Sequence, residues 1–224
     1  MSKSVTQNNQ NNCENSGAVL ISPHLSTSSW VKSPPLQLGV MASGSGTNFA
    51  AVAKAIAQGK LNAEIKVLIY NNPRTKVKER AEEYHIPSVL LDHRAYQSRK
   101  DLDQKIVAVF KTYGVDWVIM AGWMRITTQV LLDGYPNRVI NIHPSLLPSF
   151  KGIKAIEQAL QAKVKITGCT VHLVSLEVDS GEIIMQAAVP VLRDDTLDTL
   201  HARIQVQEHQ ILPQAIAIAA SQSS

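Results

Sequence analysis

Three side chains near the middle of the chain combine an amide, an imidazole and a carboxylate. Asn141 and His143 sit in the run N-I-H-P-S-L-L-P, from Asn141 to Pro148, behind an apolar strand-like segment, and Asp179 follows His143 by 36 residues. Such a set at the ends of two strands can carry a formyl transfer. The amide and imidazole hold charge that develops on a carbonyl oxygen, and the carboxylate orients or charges the imidazole. Residues two apart on a strand face the same side. Pro144 turns the chain away from helix at the histidine, so Pro144 to Pro148 reads as a shaped loop. A neutral His143 can take a proton from an attacking amine, whereas its imidazolium can hold an oxyanion. Each residue also has a plainer account: Asn141 capping a turn, His143 as a satisfied loop histidine, Asp179 serving the Asp179-Ser180-Gly181 turn. No serine elbow, no H-E-x-x-H and no close Cys/His cluster competes with the set. His172 on an alternating strand reads as structural, and His24, His85, His93 and His201 are too scattered for a metal set.

A second feature is the turn Ser43-Gly44-Ser45-Gly46-Thr47-Asn48. Gly44 and Gly46 permit a tight turn and close backbone approach. The helix that follows presents free N–H groups at its start, suited to a phosphate, with Thr47 and Asn48 as added donors. The turn lacks the G-x-G-x-x-G spacing and a Walker Lys-Ser/Thr pair, so an ordinary strand–helix turn is its competing account. Late in the chain, Glu208 has a place near an amine or a plain solvent-facing role. Arg99 lies in a charge-rich loop, and Arg203 reads as a surface residue or a partner of Asp198 or Asp195.

These residues require a scaffold of alternating strands and helices. Leu38 to Ala42, Ala63 to Tyr70, Ile86 to Leu90, Trp117 to Ala121 and Val139 to Ile142 read as strands. Helices are expected after Asn48, with Phe49, Val52, Ala53, Ile56 and Ala57 on one face and Gly59 as the stop, then over Thr75 to Tyr84 and Asp101 to Tyr113. The alternation predicts an α/β fold: a three-layer, Rossmann-like, mostly parallel sheet with helices on both faces. After residue 150 a helix is expected over Ile153 to Gln161. Strand-like segments Lys165 to Leu173 and Ile183 to Val189 then add antiparallel strands at the C-terminal part. A last helix over Thr196 to Ala220 carries a break at Pro213. Ligands are expected outside the carboxyl ends of the strands.

The chain has 224 residues, 45% of them hydrophobic and 5% aromatic. That length fits one α/β domain or two small ones and buries a substantial core. Residues 1 to 35 are rich in Asn, Ser, Gln and Pro, with Val19-Leu20-Ile21 as an apolar exception, and read as a disordered leader. Residues 36–224 read as one catalytic domain. Cys13 and Cys169 form no framework and read as free thiols in a reducing, cytoplasmic compartment. No apolar run is long enough to span a membrane. The net charge of +4, from 22 basic against 18 acidic residues, has no basic block behind it. It suits small anions and not nucleic acid.

The chain resembles the folate-dependent formyltransferases from about Gln37 to about Gln214. The resemblance is carried by G-S-G-T-N in the first turn, A-G-W-M-R-I around Met124-Arg125, N-I-H-P-S-L-L-P, V-H-L-V-S-L-E-V-D-S-G-E-I-I, and the late Q-V-Q-E-H. It implies transfer of formyl from 10-formyltetrahydrofolate to the amine of glycinamide ribonucleotide, in purine synthesis, with no metal required. It places the catalytic roles on Asn141, His143 and Asp179. The nucleotide contacts fall on Gly44, Ser45, Gly46, Thr47, Asn48 and Glu208. The folate contacts fall on Arg99, Met124, Arg125, Ile126, Thr127, Ser175 and Val178. The implied partners are the nucleotide and the folate, with no nucleic acid or membrane, and the protein acts as a monomer or homodimer. A relative that uses the same three residues with water as acceptor, formyltetrahydrofolate deformylase, is the alternative. It usually has His-His-Ser where this chain has His143-Pro144-Ser145. Lys151 stands where the family more often has proline, which implies a less rigid loop.

Overall fold

The computed structural model describes residues 19–23 and 34–222. Among them, strands β1 (Leu20–Ser22), β2 (Leu36–Ala42), β3 (Ala63–Tyr70), β4 (Ser88–Leu90), β5 (Trp117–Met120), β6 (Val139–His143), β7 (Ile166–Leu173) and β8 (Ile183–Pro190) form a single sheet. The helices are α1 (Thr47–Ala57), α2 (Val77–Glu83), α3 (Arg99–Thr112), α4 (Gln129–Gly134), α5 (Ala155–Gln161) and α6 (Leu197–Gln222). The strand order is β1-β8-β7-β6-β5-β2-β3-β4. Strands β2 to β6 run parallel to their neighbours, and β7, β8 and β1 pair antiparallel at one end. The mostly parallel α/β sheet and its antiparallel C-terminal additions are therefore as the sequence predicts.

Burial on both faces explains why the central strands are apolar throughout. In β2, Leu38, Val40 and Ala42 face a core shared with α1, α2, α5 and α6, while Met41 faces a second core with α3 and α4. β5 divides in the same way, with Trp117 and Ile119 on the first side and Val118 and Met120 on the second. The parallel strands thus end together on one edge, and the turns that leave that edge carry the glycine turn and Asn141-Ile142-His143.

Several expectations need correction. The leader is not without structure throughout: Leu20–Ser22 pairs with β8, Leu20 opposite Ala188, because the apolar Val19-Leu20-Ile21 run meets an open strand edge. Residues 1–18 and 24–33 of that leader lie outside the described residues. Arg99 is not in a loop. It opens α3, whose N-cap Ser98 accepts a hydrogen bond from Asp101 N–H through Oγ at 3.2 Å. The last helix does not break at Pro213 but runs through it. Ile211, Leu212, Ala215 and Ile216 are fully buried around that point, and their burial outweighs a cost of about 3 kcal/mol for an interior proline. Helix α4 has no counterpart in the sequence reading.

Candidate active site

β6 delivers Asn141 and His143, and register fixes what they meet. Asn141 lies opposite His172 of β7, and His143 opposite Thr170. The chain after β7 then folds back, with Leu173 N–H donating to Glu182 O at 2.8 Å, and returns Asp179 to the strand end. A Cβ on Gly181 would sit 1.7 Å from the Leu173 carbonyl oxygen, so this closure requires glycine. Asp179 itself has φ 50° and Phe150 φ 55°. Left-handed backbone costs a non-glycine residue roughly 1–2 kcal/mol, and such strain gathers at functional sites.

The three expected residues meet, together with a fourth. Asp179 Oδ2 is 3.3 Å from His143 Nδ1 and accepts the Gly152 N–H at 2.8 Å. Its Oδ1 lies 3.5 Å from Asn141 Nδ2 and 3.7 Å from His172 Nε2. Asn141 Nδ2 is 3.1 Å from His172 Nε2, whose other nitrogen faces Leu173 O at 2.8 Å. A carbonyl only accepts, so His172 carries its proton on Nδ1 and accepts the Asn141 amide at Nε2. The second Asn141 hydrogen points along the long 3.5 Å contact, the weakest bond in the group. His143 has oxygen acceptors at both ring nitrogens, Asp179 at one and Phe150 O at 2.9 Å at the other; a doubly protonated ring satisfies both. Burial pushes the Asp179 carboxyl up. Its hydrogen-bonding and charged surroundings, the Gly152 N–H and the charge of His143 among them, outweigh that and hold it below the usual carboxylate range.

The surrounding loop is tied, which corrects the expectation of looseness at Lys151. Thr170 Oγ1 donates to Ser145 O at 2.7 Å and accepts the Leu147 N–H at 3.1 Å. Gln186 Nε2 donates to Leu147 O at 3.0 Å. Lys151 Nζ reaches Glu177 at 3.2 Å and also Ser180, joining this loop to the one that carries Asp179. Cys169, between these groups on β7, is buried, and that burial pushes its thiol up.

The glycine turn is bound to the middle of α6, about 160 residues away. Gly46 caps α1 with φ 74°, and a Cβ there would lie 2.3 Å from Val77 Cγ2. Asn48 Nδ2 donates to Glu208 Oε2 at 3.0 Å, and Gln205 Nε2 donates to Thr47 Oγ1 at 3.1 Å. Arg80 Nε of α2 donates to Ser45 O at 2.8 Å. Glu208 is buried, not solvent-facing, and that burial raises its carboxyl. Asn48 Oδ1 is buried without a partner, a polar atom directed at this turn. Gly44 and Ser45 are exposed at its tip.

Met124, Arg125, Ile126 and Thr127 lie on the segment between β5 and α4. Met124 is 74% and Ile126 54% exposed, an apolar surface with no cover of its own. Arg125 Nε is buried without a partner. Thr128 N–H donates to Asp103 Oδ2 at 2.6 Å. The charge of Arg99 acts on Asp103, so the start of α3 borders this segment. Ser175 and Val178 flank Asp179 on its loop, with Val178 41% exposed. Among the described residues no group of three or more His, Cys, Asp or Glu is placed to hold a metal ion. No described helix is long and apolar enough to cross a membrane. A separate cavity of about 1040 Å³ lies along α1, α2 and α6, and of the expected substrate contacts Thr47 lines it.

Sequence reasoning missed His172 as a member of the cluster, and Arg80 at the turn. For His172 the available signal was strand period: Thr170 and His172 share a face of β7, seven residues before Asp179. Arg203 pairs with Asp195 at 2.6 Å and 2.8 Å, one of its two expected partners.

Known proteins resemble this chain in sequence and in fold. Residues 36–216 match the formyl transferase family. Phosphoribosylglycinamide formyltransferase of Bacillus subtilis is 39% identical over 80% of this chain and 92% of its own length. The human trifunctional purine biosynthetic protein adenosine-3 is 38% identical over 92% of this chain, which spans 20% of that relative's length. The crystal structure of glycinamide ribonucleotide transformylase 1 from Symbiobacterium toebii superposes with a TM-score of 0.83 at 42% identity, covering 85% of this chain and 90% of the other.

Proposed function

The chain belongs to the formyl transferase family, and on that premise we propose that it moves a formyl group from 10-formyltetrahydrofolate to the amine of glycinamide ribonucleotide. The observation that carries the proposal is the meeting of Asn141, His143 and Asp179, with His172, at the end of β6. The nucleotide phosphate lies against the N–H groups of the Gly44 to Asn48 turn, and Glu208 and Gln205 close the site from α6. The folate donor lies against Met124 to Thr127 with Arg99, Ser175 and Val178. The exposed Met124 and Ile126 and the unpartnered Arg125 Nε suit an aromatic, anionic ligand.

The acceptor amine attacks the formyl carbon as a neutral group. Charge develops on the carbonyl oxygen. The Asn141 hydrogen held only by the 3.5 Å contact turns to that oxygen, and His143, charged by Asp179, adds its positive field. An amine proton must then leave, and the Asp179 cluster receives it; the tetrahedral intermediate collapses by breaking the bond between the formyl carbon and N10 of the folate, which takes up that proton and departs as tetrahydrofolate. Most of the rate comes from holding donor and acceptor together and from charge set in place beforehand. The relatives' biosynthetic role supports a cytoplasmic setting for this chemistry.

The test is formation of tetrahydrofolate from 10-formyltetrahydrofolate with and without glycinamide ribonucleotide. Turnover that requires the nucleotide and yields its formylated product is the expected result. Equal turnover without it, releasing formate, overturns the transfer reading in favour of deformylation by water.

A further inference from the structure

The segment between β5 and α4 has no regular structure from Ala121 to Thr128, yet it carries the residues proposed to hold the folate. Its backbone is fixed by side chains from elsewhere. At the far end Asp103 of α3, 2% exposed, accepts the Thr128 N–H. Nearer β5, Ser43 engages the segment twice. Ser43 N–H donates to Gly122 O at 3.1 Å, and Ser43 Oγ accepts the Met124 N–H at 2.9 Å. Ser43 is also the residue that enters the glycine turn, directly before Gly44. Ser43 therefore stands just outside the Gly44 to Asn48 turn and holds the backbone of the folate segment.

We propose that Ser43 is a positioning residue for the donor: its hydroxyl sets the Met124 backbone, and through it the apolar face of Met124 and Ile126, at a fixed offset from the phosphate turn. This rests on the donor-site reading above. The Ser43 Oγ bond ties the middle of the segment, and the Asp103 bond ties its far end at Thr128. Losing that bond frees the middle of the segment without touching Asn141, His143, Asp179 or the glycines. The ligand-ordering cost then falls on the folate alone.

The experiment is calorimetric titration of wild-type protein, Ser43→Ala and Ser43→Thr with tetrahydrofolate, beside the Michaelis constant for glycinamide ribonucleotide in each. A net hydrogen bond of ordinary strength corresponds to roughly a 5-fold change in affinity. The expected result is a tetrahydrofolate Kd raised about 5-fold in Ser43→Ala, restored in Ser43→Thr, whose hydroxyl accepts the same N–H, with the nucleotide constant unchanged. An unchanged Kd in Ser43→Ala overturns the positioning role alone. Equal weakening of both substrates, or no recovery in Ser43→Thr, makes the tie merely structural and also overturns it. A wild-type protein that takes up no tetrahydrofolate removes the donor-site reading, and this inference with it.

Discussion

Asp179→Asn separates charge from shape at the centre of the site. Asparagine has nearly the volume of aspartate and tolerates the left-handed φ of 50° at this position. Its amide oxygen can keep the 2.8 Å bond from Gly152 N–H. What disappears is the negative charge 3.3 Å from His143 Nδ1. Two unit charges at that distance attract by about 5 kcal/mol at an effective dielectric of 20, an upper bound. Charge-assisted hydrogen bonds measured by deletion contribute about 1.5–3 kcal/mol. The lower range applies, because Gly152 and Asn141 remain as partners. It corresponds to a fall in kcat of about 10- to 100-fold. The Michaelis constant for the nucleotide should stay within about twofold, since Asp179 is not part of the glycine turn. The assay is steady-state formation of tetrahydrofolate at pH 7, with thermal unfolding of both proteins as the control for folding. A variant that unfolds at the wild-type temperature and turns over within threefold of wild type would refute the reasoning. So would a rate loss matched in full by loss of folded protein.

Two further outcomes are expected. Gly181→Ala forces a methyl group against the Leu173 carbonyl, 1.7 Å from its oxygen. Relieving that clash should cost about 2 kcal/mol, roughly 4–8 °C in unfolding temperature, and move Asp179 enough to lower kcat at least about tenfold; unchanged stability and rate would show that the loop does not close as described. Asp195 is held down at about 2 by its hydrogen bonds with Arg203, against the opposing effect of burial and with help from Leu192 N–H and Thr199. A depressed folded pKa means that its stabilisation is complete above the ordinary carboxylate value of about 3.9 and is lost as pH falls toward about 2. The Arg203 side chain is 25% and the Asp195 side chain 2% exposed, and after solvent screening the pair contributes about 1 kcal/mol. The unfolding temperature of Asp195→Asn should therefore lie below wild type at pH 6, with the gap narrowing below pH 4; a gap constant from pH 6 to pH 3 would contradict the pairing.

Much of this protein is written in local patterns. The alternation of apolar strands with helices of one-sided periodicity determined a mostly parallel sheet, since a strand buried on both faces must be apolar throughout. Glycines at 44 and 46 determined a sharp turn into α1. The spacing of Asn141 and His143 determined that the two share a side of β6. The order of motifs was enough to reveal the family resemblance. These features depend on residues within a few positions of one another.

Tertiary structure alone decided the rest. Leu20–Ser22 becomes a strand only because β8 offers an unpaired edge, and Pro213 stays within α6 only because the helix is buried around that point. His172 joins the cluster through register, and register is a relation between β6 and β7 that neither strand carries by itself. Glu208 is buried beside Asn48, across 160 residues of chain, although its own neighbourhood reads as an ordinary helix face. Asp179 returns to His143 because Gly181 lets the loop close on Leu173. Each of these depends on which surfaces meet. Burial and pairing are properties of two distant segments at once, whereas local spacing records only what one segment prefers.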